Sequence, residues 1–345
     1  MMQAKDALQL DEVRLAAHLR ANMEGFRGAL EVQRLKGGAS NPTYVLTERD
    51  GAATRKYVLR KKPAGVLLPS AHQIEREYRV MDALKATDVP TPNVRLLCED
   101  TDVIGTAFYV MDFLDGRILR DPRLPGIAPA ERRAMFDSFI DTMAKLHSVD
   151  VAKAGLSDFG KPGDYFTRQT ARWIKQYRGA ETETLPDMER LIAELPARIP
   201  KEDSTGIAHG DFRMENLMFH PTEPRVIALL DWELCTLGNP LADLGFACIG
   251  YHAEMAYFGT LHDVDFATSG IPTEDEFVAA YCARTGRAGV ENFPFYVAFA
   301  LFRLASISQG VYKRGLDGTG TGREEDRDNH APYIASRGVA LLDRL

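Results

Sequence analysis

The chain is poor in the residues that staple or anchor a protein. Four cysteines, Cys98, Cys235, Cys248 and Cys282, are scattered over 345 residues, and no two form a Cys-x-x-Cys pair. A disulfide framework, a zinc ribbon and a thioredoxin-like redox site are therefore not readable. The cysteines read as small buried hydrophobes in a reducing compartment. No run approaches the ~18 uncharged apolar residues of a membrane helix. The opening stretch MMQAKDALQLDEVRLAAHLR has no apolar segment of the kind a secretory signal needs. A soluble, cytoplasmic protein with no membrane partner is the expectation. Positive charge is also in deficit, with 42 Lys and Arg against 49 Asp and Glu and a formal net charge of -7. A domain that wraps DNA or RNA is usually basic, so nucleic acid is disfavoured as a partner. No internal repeat is visible.

What is present is ordinary for a globular chain, 45% hydrophobic and 26% charged, and long enough for two domains. A helix is expected over residues 11–23, followed by strand-like runs at 31–35, 43–47 and 56–60 separated by the turn-rich GGASNP and ERDGAAT. Residues 70–85 read as a helix, and 94–99 and 106–113 as two more strands. The texture then changes. Helices are expected at 130–148, 165–179, 188–198, 240–258, 274–285, 293–313 and 333–345, interrupted by a hairpin of 216–219 and 226–232. The Gly-rich, charged GLDGTGTGREEDRDNH reads as a mobile loop. The pattern predicts an α+β protein with a small β-rich N-terminal domain (1–115) and a larger helical domain (116–345).

Chemistry concentrates in His209-Gly210-Asp211-Phe212-Arg213-Met214-Glu215-Asn216 and in Asp231, at the end of an apolar run. Phosphoryl transfer needs little covalent help. It needs metal ions on the phosphates, a carboxylate that orients the attacking hydroxyl, and fixed positive charge. Asp211 would accept the hydroxyl proton. Asn216 and Asp231 supply the hard oxygens that suit Mg²⁺.

HGDFRMEN and LLDWE resemble the catalytic and metal motifs of the aminoglycoside phosphotransferase/choline kinase-like family, relatives of protein kinases. AHGDFRMEN, LLDWELCTLGNPLADLGF and YVLRKKPAGVLLPSAHQIEREYRV are most similar to the kinase-like domains that some proteins carry fused to acyl-CoA dehydrogenases. The resemblance covers nearly the whole chain and implies a two-lobed protein-kinase-like fold that uses ATP and Mg²⁺. It makes Asp211 the catalytic base, Asn216 and Asp231 the metal ligands, and Arg213 a γ-phosphate ligand. It makes Arg60 the strand cation on the nucleotide phosphates and Glu77 its helix partner, with Lys61 and Glu75 as competitors one register away. Backbone groups of Asp112 and Leu114 would meet adenine, and the Gly37–Asn41 turn, with Ser40 and Asn41, would cover phosphates. Asp243 would brace the catalytic loop. His209 would either orient Asp211 or serve as a core histidine, and His147 reads as structural. Asp231-Trp232-Glu233 departs from the Asp-Phe-Gly of protein kinases, so a switch of that type is not implied.

The acceptor is the open question. Arg168, Arg172, Lys175 and Arg178 share a helix face beside Trp173 and Tyr177. They form either a solvated basic face or the recognition surface for an anionic acceptor such as a hydroxyacyl-CoA or a hydroxy acid. Arg303 lies in an apolar run and should either pair internally or face a substrate anion. The expected function is ATP- and Mg²⁺-dependent phosphorylation of a small-molecule hydroxyl. An aminoglycoside kinase and a non-catalytic nucleotide-binding module are the alternatives. Oligomeric state is not legible.

Overall fold

The computed structural model describes residues 10–35, 41–63, 73–254, 259–319 and 328–345. The chain divides into two compact units, Met1–Gly116 with Ile227–Glu233, and Arg117–Val226 with Leu234–Leu345. The short segment 227–233 thus clusters with residues far from it in sequence.

The first unit begins with α1 (Glu12–Asn22), capped where Asp11 accepts the Arg14 N–H at 3.0 Å. The strands β1 (Ala29–Arg34), β2 (Thr43–Asp50) and β3 (Ala53–Lys61) follow, then α2 (Ile74–Leu84), β4 (Val94–Cys98), the one-turn α3 (Thr101–Ile104) and β5 (Phe108–Asp112). The strands form one antiparallel sheet in the order β1-β2-β3-β5-β4. Alternation along β3 sends Tyr57, Leu59 and Lys61 inward on one face and leaves Arg60 on the other. Tyr57 and Leu59 join Leu15, Leu19, Phe26, Leu46, Phe108 and Val110 in the core that holds α1 to the sheet. Each such side chain contributes about 1.5–3 kcal/mol by leaving water.

The second unit opens with β6 (Arg117–Ile118) and the long α4 (Pro129–His147), whose Pro129 occupies the first turn, where a missing N–H costs nothing. The helices α5 (Tyr165–Ala180) and α6 (Pro186–Glu194) follow, the latter extended by a 3-10 turn to Arg198. Next come β7 (Gly206–Ala208), β8 (Leu217–Phe219), β9 (Val226–Leu229), which from Ile227 on belongs to the first unit, β10 (Thr236–Gly238) and α7 (Leu241–Ala247). A short α8 (Phe266–Ser269) precedes α9 (Glu274–Thr285), α10 (Phe293–Leu316) and α11 (Ala331–Leu342). β10 pairs with β7 and β6 with β8, both antiparallel. Thr273 and Glu276 close a reciprocal capping box on α9. By length and composition α10 could cross a membrane. However, 72% of its most apolar window is buried inside the protein, packed against α5, α7 and α11, so it is a core helix. All four cysteines are buried and unpaired.

Three sequence expectations change. The strand expected to run to Trp232 ends at Leu229, because Asp231 adopts a left-handed backbone (φ 65°) that no strand accommodates, and Trp232 starts a 3-10 turn. The helix expected over 240–258 ends at Ala247, followed by a 3-10 turn at Ile249–Tyr251; residues 255–258 lie outside the described residues. The Gly-rich segment begins only after α10 has run to Leu316, and residues 320–327 are also outside the description.

Candidate active site

In the first unit, a guanidinium on a strand meets carboxylates from a helix and from the returning segment. Arg60, on the polar face of β3, lies 3.4 Å from Glu77 of α2, 2.9 Å from Asp231 and 3.7 Å from Glu233. Its neighbour Lys61 is buried on the opposite face, and Glu75 pairs with Lys62, so strand pleat and helix phase single out Arg60 and Glu77. Glu77 is buried. It accepts hydrogen bonds from Asn41 Nδ2 at 2.9 Å and the Tyr109 hydroxyl at 3.0 Å. Burial pushes Glu77 up to about 7, against the opposing pull of the Arg60 charge. Desolvation also holds the Tyr109 phenol well above its ordinary value. Asp231 is a non-glycine residue in the left-handed region, a strain of about 1–2 kcal/mol. Its carboxylate is anchored through Oδ1 to Arg60, and Oδ2 makes no hydrogen bond among the described residues.

Two residues expected on the nucleotide side have internal partners. The Asn41 side chain does not face outward to phosphate. It is buried on Glu77, while the Asn41 backbone carbonyl accepts from the Thr43 hydroxyl. Asp112 gives its N–H to the Asn93 carbonyl at 2.9 Å, and its carboxylate is gripped bidentately by Arg95 at 2.7 and 2.8 Å. Its donor and side chain are therefore committed to the sheet. The Leu114 N–H makes no backbone hydrogen bond among the described residues. Ser40 and the glycines before it lie outside the described residues.

In the second unit, the loop between β7 and β8 carries Asp211, Arg213 and Asn216. Gly210 turns it at φ 83°, and a Cβ there would come within 2.8 Å of the Leu234 carbonyl, so only glycine fits. From Asp211 the side chains alternate between outside and inside. Phe212 is fully buried and meets the Phe139 ring edge-on at 5.3 Å, and Met214 is buried as well. This anchoring leaves Asp211 and Arg213 at the surface. Asn216 Nδ2 donates to both the Asp211 carbonyl and its Oδ2, each at 2.8 Å. Arg213 sits 3.4 Å from Asp211 and 2.9 Å from Glu215.

Beneath the loop, Asp243 of α7 accepts the backbone N–H of His209 at 2.6 Å and of Gly210 at 2.8 Å, and His147 Nε2 lies 3.2 Å away. Burial works to raise Asp243, but the His147 hydrogen bond and charge and the loop donors hold it below its ordinary value. His209 is fully buried, and its Nδ1 accepts the Asp211 N–H at 3.3 Å. It is a core histidine that also fixes the backbone of Asp211. His147 is held on its other side by the Tyr281 hydroxyl at 2.9 Å. Phe212 and Tyr281 were not singled out from sequence. The polar-apolar alternation through 211–214 was the available signal for the first.

Beside the loop is a cavity whose lining includes the aromatic Phe136, Phe139, Phe246, Tyr251 and Phe277 and the charged Arg120, Arg213 and Glu215. Glu215 is engaged by both arginines. Among the described residues no group of three or more His, Cys, Asp or Glu side chains is arranged to hold a metal. Mg²⁺ in phosphoryl-transfer sites takes only one or two protein oxygens besides the nucleotide, so this does not count against it. Asn216 has its nitrogen committed, leaving Oδ1, and Asp231 retains Oδ2, so both residues suit a hard cation.

Solved structures identify the class. Choline kinase from Cryptosporidium parvum superposes with a TM-score of 0.63 over 97% of this chain and 95% of that one at 15% identity, so the fold is that of the protein-kinase-like phosphotransferases. The family model described as "Phosphotransferase enzyme family" (APH) matches residues 31–292, and the chain belongs to that family. A Ralstonia eutropha protein, provisionally named an aminoglycoside phosphotransferase, is 46% identical, with a TM-score of 0.89 over 97% of this chain and 99% of that one. "Acyl-CoA dehydrogenase family member 10" of Mus musculus is 47% identical over 84% of this chain and 27% of its own length. The chain spans less than half the length of the curated relatives it matches.

Proposed function

We propose that the protein transfers the γ-phosphoryl group of ATP to a hydroxyl of a small anionic acceptor, a hydroxyacyl-CoA or a hydroxy acid. The observation that carries this reading is the Asp211 carboxylate, fixed through Oδ2 by Asn216 and partly exposed beside Arg213. Such a group orients a hydroxyl and accepts its proton as the oxygen attacks phosphorus. Arg213 supplies fixed positive charge for the phosphoryl oxygens. Arg60, held rigid by Glu77, matches a site for the other nucleotide phosphates, which a guanidinium can bind bidentately. Asn216 and Asp231 would hold Mg²⁺, which when bound neutralises phosphate charge and aligns the transferred group.

Two features support an anionic acceptor over an aminoglycoside. The one carboxylate lining the cavity, Glu215, is paired with both Arg120 and Arg213, leaving the charged lining net cationic, and the remainder is largely apolar and rich in aromatic rings. A polycationic sugar needs the opposite. The longer relatives are named as members of an acyl-CoA dehydrogenase family, which favours an acyl-CoA.

The test is a screen of hydroxylated metabolites with labelled ATP and Mg²⁺. Transfer to hydroxy acids or their CoA thioesters is expected, and its loss in Asp211→Asn with ATP binding retained. Turnover that survives in Asp211→Asn refutes the assignment. Phosphorylation of aminoglycosides alone would establish the alternative.

A further inference from the structure

The basic face of α5 is not uniform. Arg178 is neutralised by Glu181 and Glu189. Arg168 and Arg172, earlier on the same helix, have no carboxylate within ion-pair distance among the described residues. Arg168 gives one nitrogen to the Lys161 carbonyl, while its Nη1 is buried with no partner. Arg303 of α10 comes to the same place. It is only 9% exposed, has no carboxylate partner among the described residues, and its Nε is buried without a hydrogen bond. Its guanidinium lies 5.5 Å from the Trp173 ring centre and 5.3 Å from that of Phe246, and Arg172 lies 5.7 Å from the same Trp173 ring.

Aromatic faces recover part of the cost of burying a cation, about 0.5–2 kcal/mol each. They do not satisfy its N–H donors, and an enclosed charge without an anion is a large penalty. The cluster of guanidiniums therefore lacks a counter-charge among the described residues. The three guanidiniums all bear on the Tyr165 phenol, which is packed against Gly238 so closely that a Cβ there would lie 2.5 Å from its ring. Phe246 connects the recess to the cavity beside Arg213, which it also lines.

We propose that Arg168, Arg172 and Arg303 form an anion-binding recess around Trp173 that takes an acidic group, carboxylate or phosphate, of the acceptor. The identity of the ligand as acceptor rests on the phosphotransfer reading above; the recess itself does not. Trp173 is one of two tryptophans, so in a Trp232→Phe background its fluorescence reports the recess alone.

Pyrophosphate and succinate are titrated separately, against potassium chloride of equal ionic strength. A saturable change with one or both, absent with chloride, is expected, and the responding arm tells phosphate from carboxylate. Arg303→Met should raise the dissociation constant about tenfold or more, the loss of a charge-assisted contact. Exposed Arg172→Ala should raise it about fivefold and keeps the test open if the buried variant misfolds. No response in the parent, the same response to chloride, or constants within twofold in both folded variants overturns the proposal. Because no phosphoryl transfer is read, an inactive enzyme that still binds the anion would refute the function and leave the recess standing.

Discussion

Replacing Asp243 by Asn changes one atom and should be among the most damaging substitutions in the second unit. The carboxylate accepts the His209 N–H and approaches His147 through Oδ2, and accepts the Gly210 N–H through Oδ1. An amide has one oxygen. If it takes the Oδ2 position, its NH₂ faces the Gly210 N–H, and two buried donors are left without acceptors at about 1–3 kcal/mol each. The charge assistance on the other contacts is lost as well. The total is about 3–5 kcal/mol, the usual cost of breaking a buried charged network by removing one partner. Urea unfolding followed by Trp173 fluorescence should show a loss of that size. Turnover in the labelled-ATP assay should fall at least about tenfold, because Gly210 and Asp211 would shift together. Nucleotide affinity should change little, since Arg60 and Glu77 belong to the other unit. A stability within about 1 kcal/mol of the parent would refute the bracing argument.

Gly210→Ala should be folded but nearly inactive, judged by circular dichroism and turnover, because its φ of 83° and the Leu234 carbonyl at 2.8 Å force the loop to move. Phe212→Ala empties a fully buried aromatic position and should cost about 3–5 kcal/mol in urea unfolding, with turnover falling alongside. Glu77 is held near 7 against an ordinary 4.5, so the folded state binds its proton more tightly than the unfolded chain. The stability it contributes is present below pH 4.5 and is lost as pH rises toward 7. Glu77→Gln should flatten that part of the stability-pH curve, and an unchanged slope would remove Glu77 as its source.

The candidate loop is legible because its residues crowd into one short stretch of sequence. Asp211, Asn216 and Arg213 lie within six residues, and their loop geometry follows from Gly210 and from the burial of Phe212. The choice of Arg60 over Lys61 follows from strand pleat alone. The place of the Asn41 side chain is not legible in sequence, because only the fold brings the buried Glu77 carboxylate to it. The grip of Arg95 on Asp112 is likewise set by the pairing of β4 with β5, which sequence spacing alone does not fix. For Arg303, sequence posed the choice between an internal partner and an external anion. Neighbours from α5 and α7 answered it with rings rather than a carboxylate.

The return of Ile227–Glu233 to the first unit has a consequence for how this protein could be taken apart or inherited. Cutting after Gly116 would separate Arg60 from Asp231 and Glu233 and leave a sheet with its cation paired to Glu77 alone. A gene fragment encoding only the β-rich half would therefore lack two of the three carboxylates that hold Arg60. Recombination that keeps this cluster of charges intact has to carry both halves together, as one heritable piece.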